Sequence, residues 1–215
     1  VQDPVLRERL RPSYRVACKR LVISPDFYQA IQKPSAQLVT DPIERVEPTG
    51  VRTRDGELHE LDVLVLATGF RTDRFMRPMQ VVGPAGRVLD EVWSSRPSAY
   101  LTLAVPGFPN LFMLNGPNGP VGNFPLIEVA ELQMSYIAQL IDMLRDGVCR
   151  ALSPSQSASD AFENARVEAA QNTVWTTGCA SWYLDDRGVP ATCPWTIAQF
   201  YAALAKPDLS AYELI

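Results

Sequence analysis

The feature of this sequence that most constrains its fold is an uninterrupted apolar run that ends in a tight turn. The run covers residues 63–67 (VLVLA), and Thr68, Gly69 and Phe70 follow it. Continuous rather than alternating apolar residues are typical of a strand buried on both faces, as in a parallel sheet. Open α/β sheets bind ligands just beyond the carboxyl ends of such strands. Thr68 and Gly69 are therefore candidate ligand-binding residues, with a plain exit from strand to loop as the alternative.

A small antiparallel meander is predicted immediately before this run. Its three short alternating segments are 43–46, 51–53 and 58–61. The tripeptide PTG and the dipeptide DG separate these segments, and both are hairpin signals. Further short strands are predicted at 19–23 and 36–40, and a second buried strand at 110–114.

One long amphipathic helix is predicted after the second buried strand, from about Pro125 to Asp146. Apolar residues recur on it every three or four positions, an arrangement typical of a helix with one buried face. The stripe consists of Ile127, Ala130, Met134, Ile137, Ile141 and Leu144. Gly147 is a natural stop for this helix. Shorter helices are predicted within 24–32, 157–173 and 194–206.

The composition is that of a globular protein and argues against several kinds of partner. The chain has 215 residues, of which 47% are hydrophobic and 20% are charged, a balance typical of a folded domain. Its net charge of −4 argues against binding to a nucleic-acid backbone. Its longest apolar runs reach about five residues, whereas a membrane-spanning helix needs about 20. No signal-peptide pattern is present at the start, so we expect no membrane span and a cytoplasmic protein.

The scarcity of histidine and the spacing of cysteine argue against further classes. His59 is the only histidine, so a Ser-His-Asp triad has no other base, and the G-x-S-x-G motif is absent. The four cysteines, Cys18, Cys149, Cys179 and Cys193, form no C-x-x-C pair and show no zinc-binding spacing. We therefore predict free cysteines in a reducing compartment and no metal site.

The loop before the long helix is one candidate binding site. Gly116, Gly119 and Gly122 are three residues apart, and glycines let a ligand approach the backbone closely. The helix start that follows has unpaired N–H groups and a positive dipole end, which can hold a phosphate or an electron-rich carbonyl. An ordinary surface loop that caps a helix has the same pattern, and the residues alone leave both interpretations open.

Two other stretches carry residue types suited to cofactor binding. Lys19 and Arg20 are adjacent cations that could meet two different anionic groups, since neighbours on a strand point to opposite faces. Trp182 and Tyr183 lie next to small residues and could pack on a flat ring. A solvated basic pair and a core tryptophan are the alternative interpretations.

Taken in order, four stretches resemble the C-terminal part of class B flavoprotein monooxygenases of the Baeyer–Villiger type. The stretches are ACKRLVISPDFYQAI, GVRTRDGELHELDVLVLATGF, YLTLAVPGFPNLFMLNGPNGP and ASWYL. The resemblance extends over nearly the whole chain. It implies an α/β fold, namely the C-terminal part of a flavoprotein with two dinucleotide-binding domains. A Rossmann-like parallel sheet and the small antiparallel meander would both belong to it.

The resemblance implies an enzyme that uses FAD and NADPH. In this family O2 adds to reduced flavin, and the peroxyflavin attacks a ketone to give an ester or lactone. Arg20 matches the catalytic arginine that stabilises the peroxyflavin anion, and Lys19 matches the residue that meets the 2′-phosphate of NADPH. Trp182 matches a tryptophan that contacts bound NADP.

Two further segments match cofactor-binding positions of the family. Thr68 and Gly69 match the point where the chain leaves the NADPH-binding domain and returns to the FAD-binding domain. By this match, residues 1–68 end the first domain and residues 69–215 belong to the second. The loop that matches the one passing the flavin ring supplies Asn115, Gly116, Pro117, Val121, Gly122 and Asn123.

The sequence departs from the family where the cofactor phosphates would bind. It contains no G-x-G-x-x-G motif for FAD or for NADPH, and it lacks the family fingerprint F-x-G-x-x-x-H-x-x-x-W. The N-terminal acidic residue that partners the arginine in the family is also missing. We therefore expect an N-terminal half, on the same longer chain or on a separate polypeptide. Without it, we expect this chain to be inactive and to expose large apolar patches. The alternatives are part of an N- or S-oxygenating flavin monooxygenase, and a truncated remnant that acts only as a binding or structural protein. The substrate would be a ketone or another small organic molecule, together with O2.

Overall fold

A computed structural model describes residues 1–120 and 124–215 of the chain. The chain divides into two compact units. The first unit comprises residues 1–14 and 22–70, and the second comprises residues 15–21 and 71–215. The short segment 15–21, which carries Lys19 and Arg20, thus belongs to the second unit although the residues on both sides of it belong to the first.

The first unit contains the predicted meander. Strands β1 (Ile43–Glu47), β2 (Gly50–Thr53) and β3 (Leu58–Glu60) form an antiparallel sheet in the order β1-β2-β3. A Cβ on Gly50 would lie 2.1 Å from the backbone oxygen of His59, so the close pairing of β2 with β3 requires glycine there. Two short helices, α1 (Pro4–Arg9) and α2 (Phe27–Ala30), complete this unit.

The apolar run at 63–67 forms no strand, and the prediction of a buried strand there is wrong for this chain. Its side chains are exposed, with 75% of Val63 and 79% of Val65 accessible to solvent. A strand needs a hydrogen-bonded neighbour, and no described residue pairs with this run as a strand. The predicted strands at 19–23 and 36–40 are absent for the same reason. The expectation that the chain exposes large apolar patches is confirmed.

The second unit is mainly helical. It contains α3 (Leu89–Val92), α4 (Leu126–Arg145), α5 (Gln156–Ala170) and α6 (Ile197–Leu204), with β4 (Leu152–Pro154) and β5 (Tyr212–Leu214) as an antiparallel pair. The three longer helices confirm the sequence prediction. Helix α6 begins later than predicted because Thr196 and Gln199 form a capping box. No helix in the described part of the chain is both long enough and apolar enough to cross a membrane.

The segment 110–114 was predicted as a second buried strand, and this prediction is also wrong. It makes only an isolated bridge between Phe112 and Ala104. Among the described residues all strand pairings are antiparallel. The segment therefore lacks the parallel neighbours that would complete it as a strand.

The main core of the second unit forms where α4 and α6 pack against the β4–β5 pair. Tyr136 and Leu140 of α4 are fully buried there, beside Phe200 and Leu204 of α6. The hydroxyls of Tyr136 and Tyr212 (on β5) lie 3.1 Å apart in this core. Burial raises the pKa of Tyr136 to about 12, so both phenols remain neutral at physiological pH.

Helix α4 buries a different face from the one predicted. Its buried residues are Val129, Gln133, Tyr136, Ile137 and Leu140. Of the predicted stripe only Ile137 is buried, whereas Ile127 is 77% exposed, Met134 49% and Ile141 47%. The helix therefore has two apolar faces, and the core of this chain covers only one of them.

The cysteines differ from the prediction of four free thiols. Cys18 and Cys179 form a disulfide, with their Cα atoms 5.4 Å apart, and both belong to the second unit. This Cα separation is ordinary for a disulfide. The two cysteines are 161 residues apart in sequence, so only the fold brings them together. Cys149 and Cys193 are free, as predicted.

Candidate functional site

The candidate loop before α4 is held in place by a buried glutamine. Gln133 of α4 is fully buried, and its Oε1 accepts a hydrogen bond of 2.7 Å from the backbone N–H of Asn115. Its Nε2 donates a hydrogen bond of 2.7 Å to Oγ1 of Thr102. Asn115 has φ 51, in the left-handed region that asparagine tolerates better than most residues. Gln133 thus fixes the start of the loop.

Gly116 and Pro117 pack inside the protein. Both residues are buried, and a Cβ on Gly116 would lie 2.3 Å from the backbone oxygen of Thr102. Glycine is therefore required at position 116 by the chain's own packing. Further along the loop, the carbonyl of Gly119 accepts hydrogen bonds from Oγ1 of Thr192 at 2.9 Å and from the backbone N–H of Cys193 at 3.2 Å.

The first residue of the loop also contacts the start of α4. Nδ2 of Asn115 donates to the backbone oxygen of Leu126 over 3.3 Å, while Oδ1 of the same side chain is buried and has no hydrogen-bond partner among residues 1–120 and 124–215. The cap residue of α4, Pro125, contributes no side-chain hydrogen bond, and the first-turn N–H groups of a helix have no partner within the helix itself. Donors and an acceptor of this kind fit the polar edge of a flavin ring, whereas a G-x-G-x-x-G for its diphosphate is absent from the sequence.

Three predicted cofactor-binding residues lie outside the described part of the chain. These are Val121, Gly122 and Asn123. Their predicted contact with the flavin stays a prediction.

Lys19, Arg20 and Trp182 lie on two segments that a covalent bond joins. Cys18 directly precedes Lys19 and Arg20, and Cys179 lies three residues before Trp182. Both cations are exposed, and Trp182 is 50% exposed. The disulfide therefore brings together two of the stretches that sequence reasoning considered separately.

The exposed Trp182 ring rests on a buried tyrosine. The rings of Trp182 and Tyr183 are stacked, with centroids 4.1 Å apart and planes 26° apart. Burial raises the pKa of the Tyr183 hydroxyl, and the positive charge of Arg20 opposes this rise. Arg20 therefore lies close enough to act electrostatically on the tyrosine under Trp182. An exposed guanidinium near an exposed indole suits a planar, anionic ligand.

The segment that follows Trp182 links it to the candidate loop. The carbonyl of Tyr183 accepts a hydrogen bond of 2.6 Å from the N–H of Ala191. The next two residues, Thr192 and Cys193, bind the carbonyl of Gly119. One hydrogen-bonded path within the second unit thus connects the tryptophan with the loop before α4.

Arg166 of α5 anchors this path. Its side chain is 1% exposed and forms two hydrogen bonds of 2.8 Å with the carboxylate of Glu163. Its Nη1 also donates to the carbonyl of Pro190 and, over 3.4 Å, to that of Thr192. Sequence analysis missed Arg166 because an arginine on a helix usually lies at the surface. It also missed Gln133. The only sign of its role in the sequence is that a polar residue stands among the apolar residues of α4.

Thr68 and Gly69 belong to the first unit. Both are exposed, and Gly69 has φ +95, a backbone conformation that favours glycine. The structure therefore explains why glycine follows Thr68. The part of these two residues in cofactor binding stays a prediction.

The described residues contain no group of three or more His, Cys, Asp or Glu side chains that could hold a metal ion. What the second unit does present is a polar loop at a helix start, and exposed cations and a half-exposed indole on two segments joined by the disulfide. Both features suit an organic cofactor with charged groups and flat rings.

Over its whole length the chain is similar to longer monooxygenases. It is 49% identical over 214 residues to an uncharacterized monooxygenase of Mycobacterium bovis, covering 100% of this chain and 43% of that protein. It is 35% identical over 218 residues to a Baeyer-Villiger monooxygenase of Streptomyces coelicolor, covering 100% of this chain and 42% of that protein. The chain thus spans less than half the length of these relatives. No protein-family model matches it.

A solved structure shares the fold over the same extent. The crystal structure of cyclohexanone monooxygenase from Rhodococcus sp. Phi1 bound to NADP+ matches 100% of this chain with a TM-score of 0.85 and 29% identity, and the match covers 42% of that structure. The predicted fold class, a partial flavin monooxygenase fold, is thereby confirmed. The chain is thus similar over its whole length to flavoprotein monooxygenases of the Baeyer–Villiger type, and it fits a C-terminal part of their fold.

Proposed function

We propose that this chain is the C-terminal portion of an FAD- and NADPH-dependent monooxygenase that inserts one oxygen atom of O2 into a ketone to give an ester or lactone. The observation that carries the proposal is the covalent link between the segment of Lys19 and Arg20 and the segment of Trp182. In a chain similar to an NADP+-bound cyclohexanone monooxygenase, this link groups the residues suited to a charged dinucleotide.

Each residue has a role that follows from its chemistry. Lys19 is a compact point charge suited to the 2′-phosphate of NADPH, and the planar guanidinium of Arg20 suits a delocalised anion near the nicotinamide. The exposed face of Trp182 would pack on the dinucleotide. Asn115 and the start of α4 would hold the flavin ring. Thr68 and Gly69 of the first unit are separately proposed as cofactor-binding residues. FAD, when bound and reduced by NADPH, supplies the chemistry that activates O2.

The proposal includes an N-terminal portion, on the same chain or on a separate polypeptide. The relatives are more than twice as long as this chain, and the phosphate-binding G-x-G-x-x-G motifs are absent from it. The bare run at 63–67 and the bare stripe of Ile127, Met134 and Ile141 on α4 are apolar surfaces that such a portion would cover.

A binding or structural role without catalysis is the second candidate. It is favoured by Gly116 and Pro117, whose burial the packing of this chain explains without any cofactor. Under this candidate the complete protein would bind neither FAD nor NADPH. Oxygenation of a nitrogen or sulfur atom instead of a ketone is a further possible outcome of the product assay that tests the proposal.

The experiment is a product assay on the complete purified protein. With NADPH, 18O2 and a panel of cyclic ketones, amines and sulfides, we expect one 18O atom in a lactone or ester. If 18O were found only in an N-oxide or a sulfoxide, the substrate would be an amine or a sulfide and not a ketone. A colourless protein without NADPH oxidation would support the non-catalytic candidate.

Arg20→Ala tests the assignment of the catalytic arginine. Loss of a charge that stabilises a developing anion should lower product formation by about a hundredfold or more, while FAD stays bound. Lys206→Ala removes another exposed cation of the second unit and should leave the rate within about twofold. Equal rates for Arg20→Ala and Lys206→Ala would exclude Arg20 from the reaction.

A further inference from the structure

We propose that Arg166 is a positioning residue that couples the segment of Trp182 to the loop before α4. Its guanidinium would hold the chain between them in one arrangement, so that NADP+ bound at Trp182 and flavin bound at the loop favour each other. The identity of the two ligands rests on the proposed function, whereas the hold of Arg166 on the chain does not.

One nitrogen of Arg166 holds the path between Trp182 and the loop at two carbonyls. Nη1 donates a hydrogen bond to the carbonyl of Pro190 and, over 3.4 Å, another to that of Thr192. Only Ala191 separates these two residues. A displacement of the chain at Ala191 therefore moves an acceptor of the guanidinium.

On the side of Trp182 the path consists of direct contacts. The indole stacks on the ring of Tyr183, with centroids 4.1 Å apart. The carbonyl of Tyr183 accepts a hydrogen bond of 2.6 Å from the N–H of Ala191, and Leu184 forms an isolated antiparallel bridge with Pro190. A ligand that packs on the exposed face of the indole therefore restrains the chain as far as Pro190.

On the side of the loop two donors meet one carbonyl. Oγ1 of Thr192 and the N–H of Cys193 donate to the carbonyl of Gly119 over 2.9 and 3.2 Å. The N–H of Gly119 in turn donates to the carbonyl of Gly116 over 3.2 Å. Thr192 and Cys193 are fully buried, so water competes little for these bonds. A shift at Thr192 is therefore passed to the loop.

Glu163 fixes the orientation of the Arg166 guanidinium. Its carboxylate accepts hydrogen bonds of 2.8 Å from Nε and Nη2, which leaves Nη1 directed at the two carbonyls. The arginine side chain is 1% exposed and that of the glutamate 18%. A buried ion pair adds little stability compared with well-packed apolar residues, whereas the rigid fork of arginine donors defines one geometry. The contribution of this pair is therefore mainly one of position.

Arg96 provides a matched control at the edge of the same ion pair. Its Nε lies 3.6 Å from the carboxylate of Glu163 and its Nη1 4.0 Å from that of Asp185, and its side chain is 29% exposed. Ion pairs of this length near the surface contribute little. Arg96→Met thus removes a positive charge from the network and leaves the bonds of Arg166 to the carbonyls in place.

The buried thiol of Cys193 reports whether the chain that Arg166 binds stays closed. Burial raises the pKa of Cys193 to about 11, and the thiolate is the reactive form, so a thiol reagent reacts slowly with the closed segment. The charge of Arg166 opposes this rise in pKa. Its loss alone would slow labelling, and faster labelling of a variant therefore reports exposure of the thiol.

Thiol labelling of the complete protein, read peptide by peptide by mass spectrometry, tests the hold of Arg166. We expect Arg166→Met to raise labelling of Cys193 by about tenfold or more. Arg96→Met should stay within about twofold of the unchanged protein. The partly buried free cysteine Cys149 should be labelled equally in all three proteins. A rate at Cys193 that Arg166→Met does not raise, or an equal rise at Cys149, would overturn the proposal.

Equilibrium binding of FAD with and without saturating NADP+ tests the coupling. In the complete protein freed of FAD, NADP+ should tighten FAD binding by about fivefold or more, and Arg166→Met should reduce this factor to below about twofold. Arg96→Met should leave the factor unchanged. A merely structural defect would weaken both affinities and leave their coupling as it was. An unaltered factor in Arg166→Met would therefore refute the positioning role.

Thr192→Val keeps the test decisive if Arg166→Met does not fold. It removes the hydroxyl bond to the carbonyl of Gly119 and leaves the ion pair of Arg166 intact. We expect it to lower the coupling factor by about twofold or more. A factor equal to that of the unchanged protein would count against the path through Thr192 and overturn the proposal.

The two measurements separate this proposal from the proposed function. If the proposed function were wrong, the unchanged protein would bind neither FAD nor NADP+, and the coupling would fall with it, while Arg166→Met would still raise labelling of Cys193. If the coupling alone were wrong, both cofactors would bind, and the unchanged protein and Arg166→Met would show the same factor.

Discussion

Asp185 lies in the turn that follows Trp182, and its carboxylate accepts four hydrogen bonds. The backbone N–H groups of Arg187 and Val189 donate to Oδ1 over 3.0 and 2.9 Å. The guanidinium of Arg187 donates twice to Oδ2, over 3.1 and 2.8 Å. These bonds fix the turn that carries the chain from Tyr183 to Thr192 and so to the loop before α4.

The charge of Asp185 makes the stability of this turn dependent on pH. Burial by itself would raise the pKa of Asp185, but the hydrogen bonds from Arg187 and Val189 outweigh it, and the pKa lies below its ordinary value of 3.8. A carboxylate with a lowered pKa contributes stability that is complete above the unfolded pKa and is lost as the pH falls through the folded pKa.

We predict that Asp185→Asn lowers the free energy of unfolding at pH 7 by about 1–2 kcal/mol. The difference from the unchanged protein should hold down to about pH 4 and shrink below it, as the native carboxylate becomes protonated. Urea unfolding of the complete protein at several pH values measures it. Asp186→Asn, at the exposed neighbour, is the control and should cost little. A difference that stays constant from pH 7 to pH 2 would contradict the prediction.

Helix α4 shows at the scale of an element how one pattern can serve two surfaces. Tyr136 and Leu140 lie on its buried face, and the residues seven apart on its other apolar face, Ile127, Met134 and Ile141, are bare. Exposed aliphatic side chains in a row along a helix are typical of a surface that another element covers. We therefore expect another part of the longer protein to cover the bare face.

We predict that Ile127→Gln and Ile141→Gln each destabilise the complete protein by about 1.5–3 kcal/mol, since each places a polar group in a covered apolar surface. Ser135→Gln adds the same side chain at an exposed position of α4 and should cost less than about 0.5 kcal/mol. Chemical denaturation of the three variants measures the difference. If all three variants were equally stable, the stripe of Ile127, Met134 and Ile141 would be exposed to solvent in the complete protein as well.

At the scale of the whole molecule, the chain lacks the G-x-G-x-x-G motifs that would bind the cofactor phosphates, while the residues proposed to contact the flavin ring are present. We predict that the purified 215-residue chain stays colourless after FAD is added and the excess removed. Addition of the N-terminal portion should restore the visible flavin spectrum and lower the binding of an apolar dye, because the bare surfaces become covered. An N-terminal portion from an unrelated flavoprotein is the control. A yellow chain on its own would mean that Asn115 and the start of α4 hold flavin without a phosphate loop.

Local signals in the sequence determined the elements that depend on near neighbours. The meander follows from the hairpin signals PTG and DG, and helices α4, α5 and α6 follow from their apolar and alanine-rich patterns. The resemblance to Baeyer–Villiger monooxygenases also came from the sequence, because the order of four stretches is more specific than any one of them. These features need only contacts between residues close along the chain.

Only the tertiary structure decided what depends on distant partners. The run at 63–67 has the composition of a buried strand, yet a strand requires a neighbour, which the described part of the chain does not provide. Which of the two apolar faces of α4 is buried depends on where α6, β5 and other elements pack against the helix. The pairing of Cys18 with Cys179 and the anchoring by Arg166 join residues far apart in sequence. No local pattern records such contacts, because they form only when the fold closes long loops of chain.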